Sequence, residues 1–410
     1  MFVKVLTHLI TFLFNNKIRE TNMYNFNKSL TKLQKQLTGS SGISISGTNG
    51  FCYSTSDVNR DSQFYIGSVT KHMTAYMLLA RLQELFPYEN IEDLLREKLI
   101  DLFPSSQFLN AIKKSWVTQI SLLDLLTHQS GLSEYLDPYS SGVYAAEALN
   151  EPVSATKLLQ AISFDPSKEH YYSNTNYFLL GKLIEEMTGC TYEEVFNRHI
   201  KLPSRMLHSS APVTGNYFYY KGNDRYPRLT PNLNGNVFID MANAIGSGNV
   251  ISTIDDLNKW ADYLFNKAPK SICDLMLSNY GTDSDGDIIN LGFTQSETAC
   301  GPLIGHQGGL DSYSSFFGFI PALRYTIIIL SNNYHDLNLL MEAVIDQILQ
   351  LPASIFNLNA EKLTYFWNKE YYHQQRLRIF SQEHNKVHPN AERDGYGAGA
   401  LVVYKQPRVV

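Results

Sequence analysis

Apolar and polar positions change their period several times along the chain, and each change marks an element. Residues 41–47 (SGISISG) and 51–55 (FCYST) alternate and are rich in β-branched or aromatic side chains. The turn-forming TNG between them makes the pair a β-hairpin. From 68 to 86 the period becomes helical, with Met73, Met77, Leu78, Leu82 and Leu85 recurring at three and four residues on one apolar face. The stretch from about 90 to 245 is mainly helical with long connections, clearest at 119–127 (QISLLDLLT) and 176–189 (NYFLLGKLIEEMTG). Gly189 is a natural residue to follow a helix C-terminus. Residues 255–265 (DDLNKWADYLF) read as a capped amphipathic helix, 302–330 as two or three strands ending in YTIIIL, and 338–350 as an apolar helix. This order predicts an α/β domain in two pieces, 24–90 and 246–352, split by a mainly helical domain at 91–245, with a cleft between them.

Both ends of the chain depart from this pattern. Residues 1–23 include an apolar run at 2–14 (FVKVLTHLITFLF) that falls short of the ~20 residues a spanning helix needs. It reads as an uncleaved anchor, a poor export signal, or sequence upstream of a start at Met23. Membrane association is expected only through this run, and the compartment, exported or cytoplasmic, is left open. The tail at 353–410 is polar, with clustered Tyr, His and Arg, and is expected to be a loosely packed extension.

Composition narrows the function classes. Across 410 residues, 44% hydrophobic and 18% charged content is that of an ordinary soluble globular protein. A net charge of −5 without a basic cluster argues against a nucleic-acid surface. Cys52, Cys190, Cys273 and Cys300 are far apart and show neither CxxC nor metal-ligand spacing. No glycine-rich loop has phosphate-binding form, so no metal or cofactor is expected. The pattern does not set the oligomeric state.

Three short motifs carry candidate chemistry. In Ser68-Val69-Thr70-Lys71 a hydroxyl and an amine lie one helical turn apart, so a base can meet the serine without long-range folding. Gly67 allows a tight entry to the helix, and the helix N-terminus favours an oxyanion beside Ser68. Ser29–Lys32 and Ser154–Lys157 share the spacing, but neither opens a long apolar helix after a hairpin. In Tyr172-Ser173-Asn174 the phenol can relay a proton and the amide can grip an ester or amide substrate; a turn tyrosine beside a helix N-cap asparagine is the plainer reading. Tyr88-Glu89-Asn90 repeats the spacing in a polar link. In His306-Gln307-Gly308-Gly309 the glycines permit close backbone approach, and a backbone N–H there can complete an oxyanion hole. His128, Ser130 and Gly131 read as a turn, Asp255 and Asp256 as a helix start, and Trp260 as core.

Taken together and in order, these motifs resemble the superfamily of class C β-lactamases, DD-peptidases, D-aminopeptidases and related esterases. FYIGSVTK at 64–71, LLTHQSGL at 125–132, YYSNTNYFLLGKLIEEMTG at 171–189, GSGNVISTIDDLNKWA at 246–261 and GHQGGLDSYSSFFGFIP at 305–321 carry the likeness, which spans about residues 30–350. It implies an antiparallel sheet flanked by helices with an inserted helical domain, the β-lactamase/transpeptidase-like fold. It implies a serine hydrolase that acts on an ester or amide acyl substrate, small molecule or peptide, through an acyl-enzyme. Ser68 then resembles the nucleophile, Lys71 the residue that helps deprotonate it, Tyr172 the general base and acid, and Asn174 the substrate clamp. The N–H groups of Ser68 and Gly309 resemble the oxyanion hole. His306 stands where many β-lactamases have lysine; some DD-peptidases, D-aminopeptidases and esterases of the group also carry histidine there. With an ordinary pKa of ~6.5, His306 is expected to lose its hold on a substrate carboxylate as pH rises. Whether Lys71 or Tyr172 is the base stays open, as does a silent scaffold that kept the fold.

Overall fold

The computed structural model describes residues 24–47, 52–58, 61–136, 152–167, 169–214, 240–310, 313–333 and 335–349. A helix at 24–34 (α1) leads into β1 (Ser41–Gly47), β2 (Cys52–Ser56), β3 (Phe64–Tyr65) and the long α2 (Thr70–Leu85). Helices α3 (Ile91–Arg96), α4 (Leu99–Leu102), α5 (Gln107–Ile112), α6 (Leu122–Leu126), α7 (Ala155–Ala161), α8 (Asn174–Thr188), α9 (Tyr192–Phe196) and α10 (Leu202–Ser204) follow. No strand separates β3 from β4 (Ile251–Ser252) among the described residues. Then come α11 (Ile254–Asn266), α12 (Lys270–Leu277), β5 (Ile288–Ile289), β6 (Thr294–Thr298), β7 (Gly301–Leu310), β8 (Tyr313–Ile320), β9 (Tyr325–Ser331) and α13 (Asn338–Leu349). Residues 2–14 and the tail, and with them the expectations placed there, lie outside the described residues. No helix among the described residues is long and apolar enough to cross a membrane.

Seven strands form one antiparallel sheet in the order β2-β1-β9-β8-β7-β6-β5. The predicted hairpin is its edge, and β1 joins the late strands by pairing Ile43 with Ile329 and Ile45 with Ile327. The unbroken apolar run of β9 follows from layers on both faces. Tyr325, Ile327 and Ile329 pack with Phe26 and Leu30 of α1 and with Leu340, Val344 and Ile348 of α13. Ile328 and Leu330 point to the opposite core, with Phe317 and the α2 side chains. Each such buried aliphatic side chain contributes about 1.5–3 kcal/mol of transfer free energy.

The helix α2 differs from its expected one-sided amphipathic form. Every residue from Thr70 to Leu79 is buried, while Leu85 is exposed. The helix lies between the sheet and α8, so polar positions are buried too and must find partners. Thr74 donates to the Gly246 carbonyl at 2.7 Å, Thr70 accepts from the Val250 N–H at 3.2 Å, and His72 Nε2 accepts from Trp260 Nε1 at 2.7 Å. Trp260 is fully buried, as expected. The β3–β4 ribbon, with Ile66 N–H donating to Val250 O at 3.0 Å, fixes the entrance of α2 against residues 246–252.

Candidate active site

Ser68 lies in a one-turn 3-10 segment, Gly67–Val69, that runs directly into α2. Gly67 has φ +47°, and a Cβ there would stand 2.6 Å from the Gly309 carbonyl oxygen. Both the conformation and the space therefore require glycine. This turn leaves Ser68 partly exposed while Lys71, one turn later, has no exposure.

Lys71 Nζ lies 2.8 Å from Ser68 Oγ, 2.7 Å from Asn174 Oδ1 and 2.9 Å from the Ser247 carbonyl oxygen. The last two atoms can only accept, so each takes an N–H. That leaves one position on Nζ, aimed at Ser68. In the ammonium it is a third N–H; in the neutral amine it is a lone pair able to accept a proton. Burial favours the amine and pulls the Lys71 pKa from 10.5 to about 7, against the opposing pull of the Glu134 carboxylate.

Tyr172 completes the group, its hydroxyl donating to Ser68 Oγ at 2.9 Å. Its ring lies 5.0 Å from Lys71 Nζ and packs on His128 with centroids 4.4 Å apart. Burial raises the phenol's pKa, only partly offset by the Ser68 hydrogen bond, so the resting phenol keeps its proton. The helix cap falls on Ser173, whose side chain accepts from Thr175 N–H. Asn174 is thereby not the cap, and its amide is free for the site. Its Oδ1 faces Lys71, while its backbone N–H and its Nδ2 donate to Glu134 Oε2 at 2.6 and 3.0 Å.

His306 sits on β7 beside this group, buried, with its ring 6.0 Å from that of Tyr172. Its Nδ1 contacts the Gln307 carbonyl, which can only accept, so Nδ1 carries the proton of the neutral ring. Burial and then the Lys71 charge lower its pKa to about 3. His306 is therefore uncharged across neutral pH, and the expected fading of a carboxylate contact with rising pH has no charge to act through. Gly308 passes so close to the Ser68 turn that a Cβ on it would lie 2.1 Å from the Ile66 carbonyl oxygen. A small cleft opens beside the group, lined by Tyr172, His306, His128, His170, Tyr177 and Phe293 with Leu126, Ile289, Asn290, Gly292 and Thr294.

The decoy motifs lie elsewhere. Lys32 and Lys157 are exposed, Tyr88 is 98% exposed, and Asn90 caps α3. His128 does shape a turn, at φ +57°, but it also supports the Tyr172 ring. Sequence reasoning missed two members. One is the Ser247 carbonyl, inside the GSGNVIS stretch that carried resemblance without a role. The other is Glu134, a buried carboxylate whose partner Asn174 is forty residues away. No cluster of three or more His, Cys, Asp or Glu among the described residues is placed to hold a metal.

Residues 45–349 match the model of the Beta-lactamase family. A teichoic acid D-alanine hydrolase of Staphylococcus aureus is 30% identical over 239 residues, covering 57% of this chain and 54% of the relative. An unguisins hydrolase of Aspergillus violaceofuscus is 22% identical over 342 residues, covering 73% and 58%. The chain thus spans little more than half the length of these curated relatives. A D-stereospecific amidohydrolase from a Streptomyces species shares the fold, with a TM-score of 0.61 at 20% identity, covering 78% of this chain and 96% of that one.

Proposed function

The chain belongs to the beta-lactamase family, and on that premise we propose that it is a serine hydrolase cleaving an ester or amide through an acyl-enzyme on Ser68. The observation that carries this is the position of Ser68 Oγ, 2.8 Å from Lys71 Nζ and 2.9 Å from Tyr172 Oη. In the neutral-amine state Lys71 accepts the Ser68 proton as Oγ bonds to the substrate carbonyl carbon. Tyr172, held protonated by burial, serves as a shuttle rather than a stored base. It gives its proton to the leaving group and regains one from Lys71. Water then attacks the acyl-enzyme, losing its proton to the same pair while Ser68 Oγ regains one. The backbone N–H groups of Ser68 and Gly309 are the candidate oxyanion donors. The 2.9 Å separation between a Cβ on Gly67 and Gly309 N supports this, because it runs the β7 backbone beside the nucleophile turn.

The cleft also bears on substrate class. Among the described residues its lining holds no lysine or arginine, and His128, His170 and His306 are all pushed toward the neutral form by burial. On that wall the described residues offer a substrate carboxylate no cation, which supports trying uncharged acyl groups before carboxylate-bearing β-lactams. The D-alanine hydrolase and the D-stereospecific amidohydrolase among the similar proteins put D-alanyl esters and D-alanyl peptides first for trial. The test is a screen of p-nitrophenyl esters, D-alanyl esters and peptides, and nitrocefin against wild type and Ser68→Ala. Turnover lost in Ser68→Ala supports the reading; equal turnover by both proteins overturns it. A folded wild type that turns over nothing favours a binding scaffold that kept the fold.

A further inference from the structure

We propose that Glu134 is a positioning residue for the Ser68–Lys71 pair, acting through Asn174. The segment after α6 buries this carboxylate with 8% exposure. Oε1 accepts the Leu136 N–H at 2.8 Å, and Oε2 accepts both the backbone N–H and the Nδ2 of Asn174. An asparagine amide can point either way round. An acceptor fixed on its nitrogen side decides the matter, and Oδ1 is left to face Lys71 Nζ at 2.7 Å. Glu134 thus holds in place one of the two acceptors that turn the third position of Nζ toward Ser68.

The same carboxylate sets the charge balance of the site. Lys71 is faced by Ser68 in the 3-10 turn before α2, by Tyr172 just before α8, by Asn174 and Tyr177 on α8, by His128 after α6, by His306 on β7, by the Ser247 carbonyl before β4, and by Glu134. Burial keeps both histidines and both phenols neutral. Glu134 is the one group of this set able to carry negative charge near neutral pH. Burial works against its ionisation, while the N–H groups of Asn174 and Leu136 and the Lys71 charge favour it. As an anion it stabilises the Lys71 ammonium and so delays release of the base.

This inference rests on the reading that Lys71 serves Ser68, yet its test needs no substrate. Glu134→Gln removes the charge and keeps the shape. Lysine ε-carbon NMR is to be followed through pH in wild type, Glu134→Gln and Glu134→Asp, using Lys71→Met to assign the resonance. The Lys71 midpoint is expected to fall by about one pH unit or more in Glu134→Gln and to return toward wild type in Glu134→Asp. Where turnover or Ser68 acylation is measurable, its acid limb moves down by the same amount. A residue that merely capped α8 would change thermal stability and leave both midpoints in place, and unchanged midpoints overturn the proposal. Should Glu134→Gln not fold, the wild-type Glu134 carboxyl carbon decides the question. It must report an ionised group over the range in which Lys71 titrates, and a carboxyl that stays protonated there overturns the proposal. Absence of any hydrolysis would sink the functional reading while leaving the midpoint shift to stand or fall separately.

Discussion

Burying an amine as deeply as Lys71 leaves a signature in folding as well as in catalysis, and Lys71→Met exposes it. In the unfolded chain the lysine titrates near ~10.4, whereas in the folded site burial lowers its pKa to about 7. Below the folded value both states hold the proton, and the cost of burying the cation is fully present. Between the two values the unfolded state holds a proton that the folded state has lost. Stability therefore rises with pH across that window, with a slope approaching about 1.4 kcal/mol per unit. Methionine has similar length and no proton to lose. Urea unfolding at pH 7.5, 8.5 and 9.5, with m-values checked for constancy, gives both curves. Tyrosine and cysteine ionisation affects the two proteins alike and cancels in their difference. Wild type is expected to gain roughly 2–3 kcal/mol on Lys71→Met across that range. Parallel curves would mean that Lys71 keeps an ordinary pKa in the folded state, and the neutral-amine base would have to be abandoned.

Other consequences are equally direct. Tyr172→Phe deletes the shuttle but keeps the ring packed on His128, so kcat/KM on an ester should fall by about 10²–10⁴ with little change in Tm; a loss under threefold contradicts the role given to the phenol. Because His306 is neutral well above a pKa of about 3, the ratio of kcat/KM for carboxylate-bearing and uncharged substrates should stay flat from about pH 5.5 to 9. A ratio that drops near pH 6.5 shows a charged imidazole instead. Gly67→Ala combines a left-handed backbone with a Cβ 2.6 Å from Gly309 O. It should cost at least about 1–2 kcal/mol of stability and reduce acylation, because β7 must move away from Ser68. Wild-type values on both counts would show that the close approach is dispensable.

Much of this architecture is legible in the sequence because local rules act alone there. The hairpin alternates, Gly189 ends α8 at φ +64°, and Gly67 marks a turn no other residue fits. The Ser68–Lys71 pair is readable for the same reason, since one helical turn brings it together. Other features depend on distant neighbours. The full burial of α2 follows from layers contributed by α8 and the late strands, which its own period cannot announce. The two-residue β5 is too short for any alternation to show. Glu134 is set among serines and leucines in SGLSEYL, and nothing local says that it is buried or that Asn174 will be its partner. Ser247 contributes through a carbonyl that every residue possesses, so side-chain chemistry could not have singled it out. His306 illustrates a third case. Its identity was visible, but its charge is set by burial and by Lys71, both products of the fold.

The claim on which the account turns is that Ser68 is an activated nucleophile. Intact-mass and peptide mapping after treatment of the folded protein with a fluorophosphonate tests it most directly. The account predicts one adduct, on Ser68, forming faster as pH rises through about 7 and absent in Ser68→Ala. An unmodified Ser68 in folded protein, or an adduct placed on another residue, would contradict it.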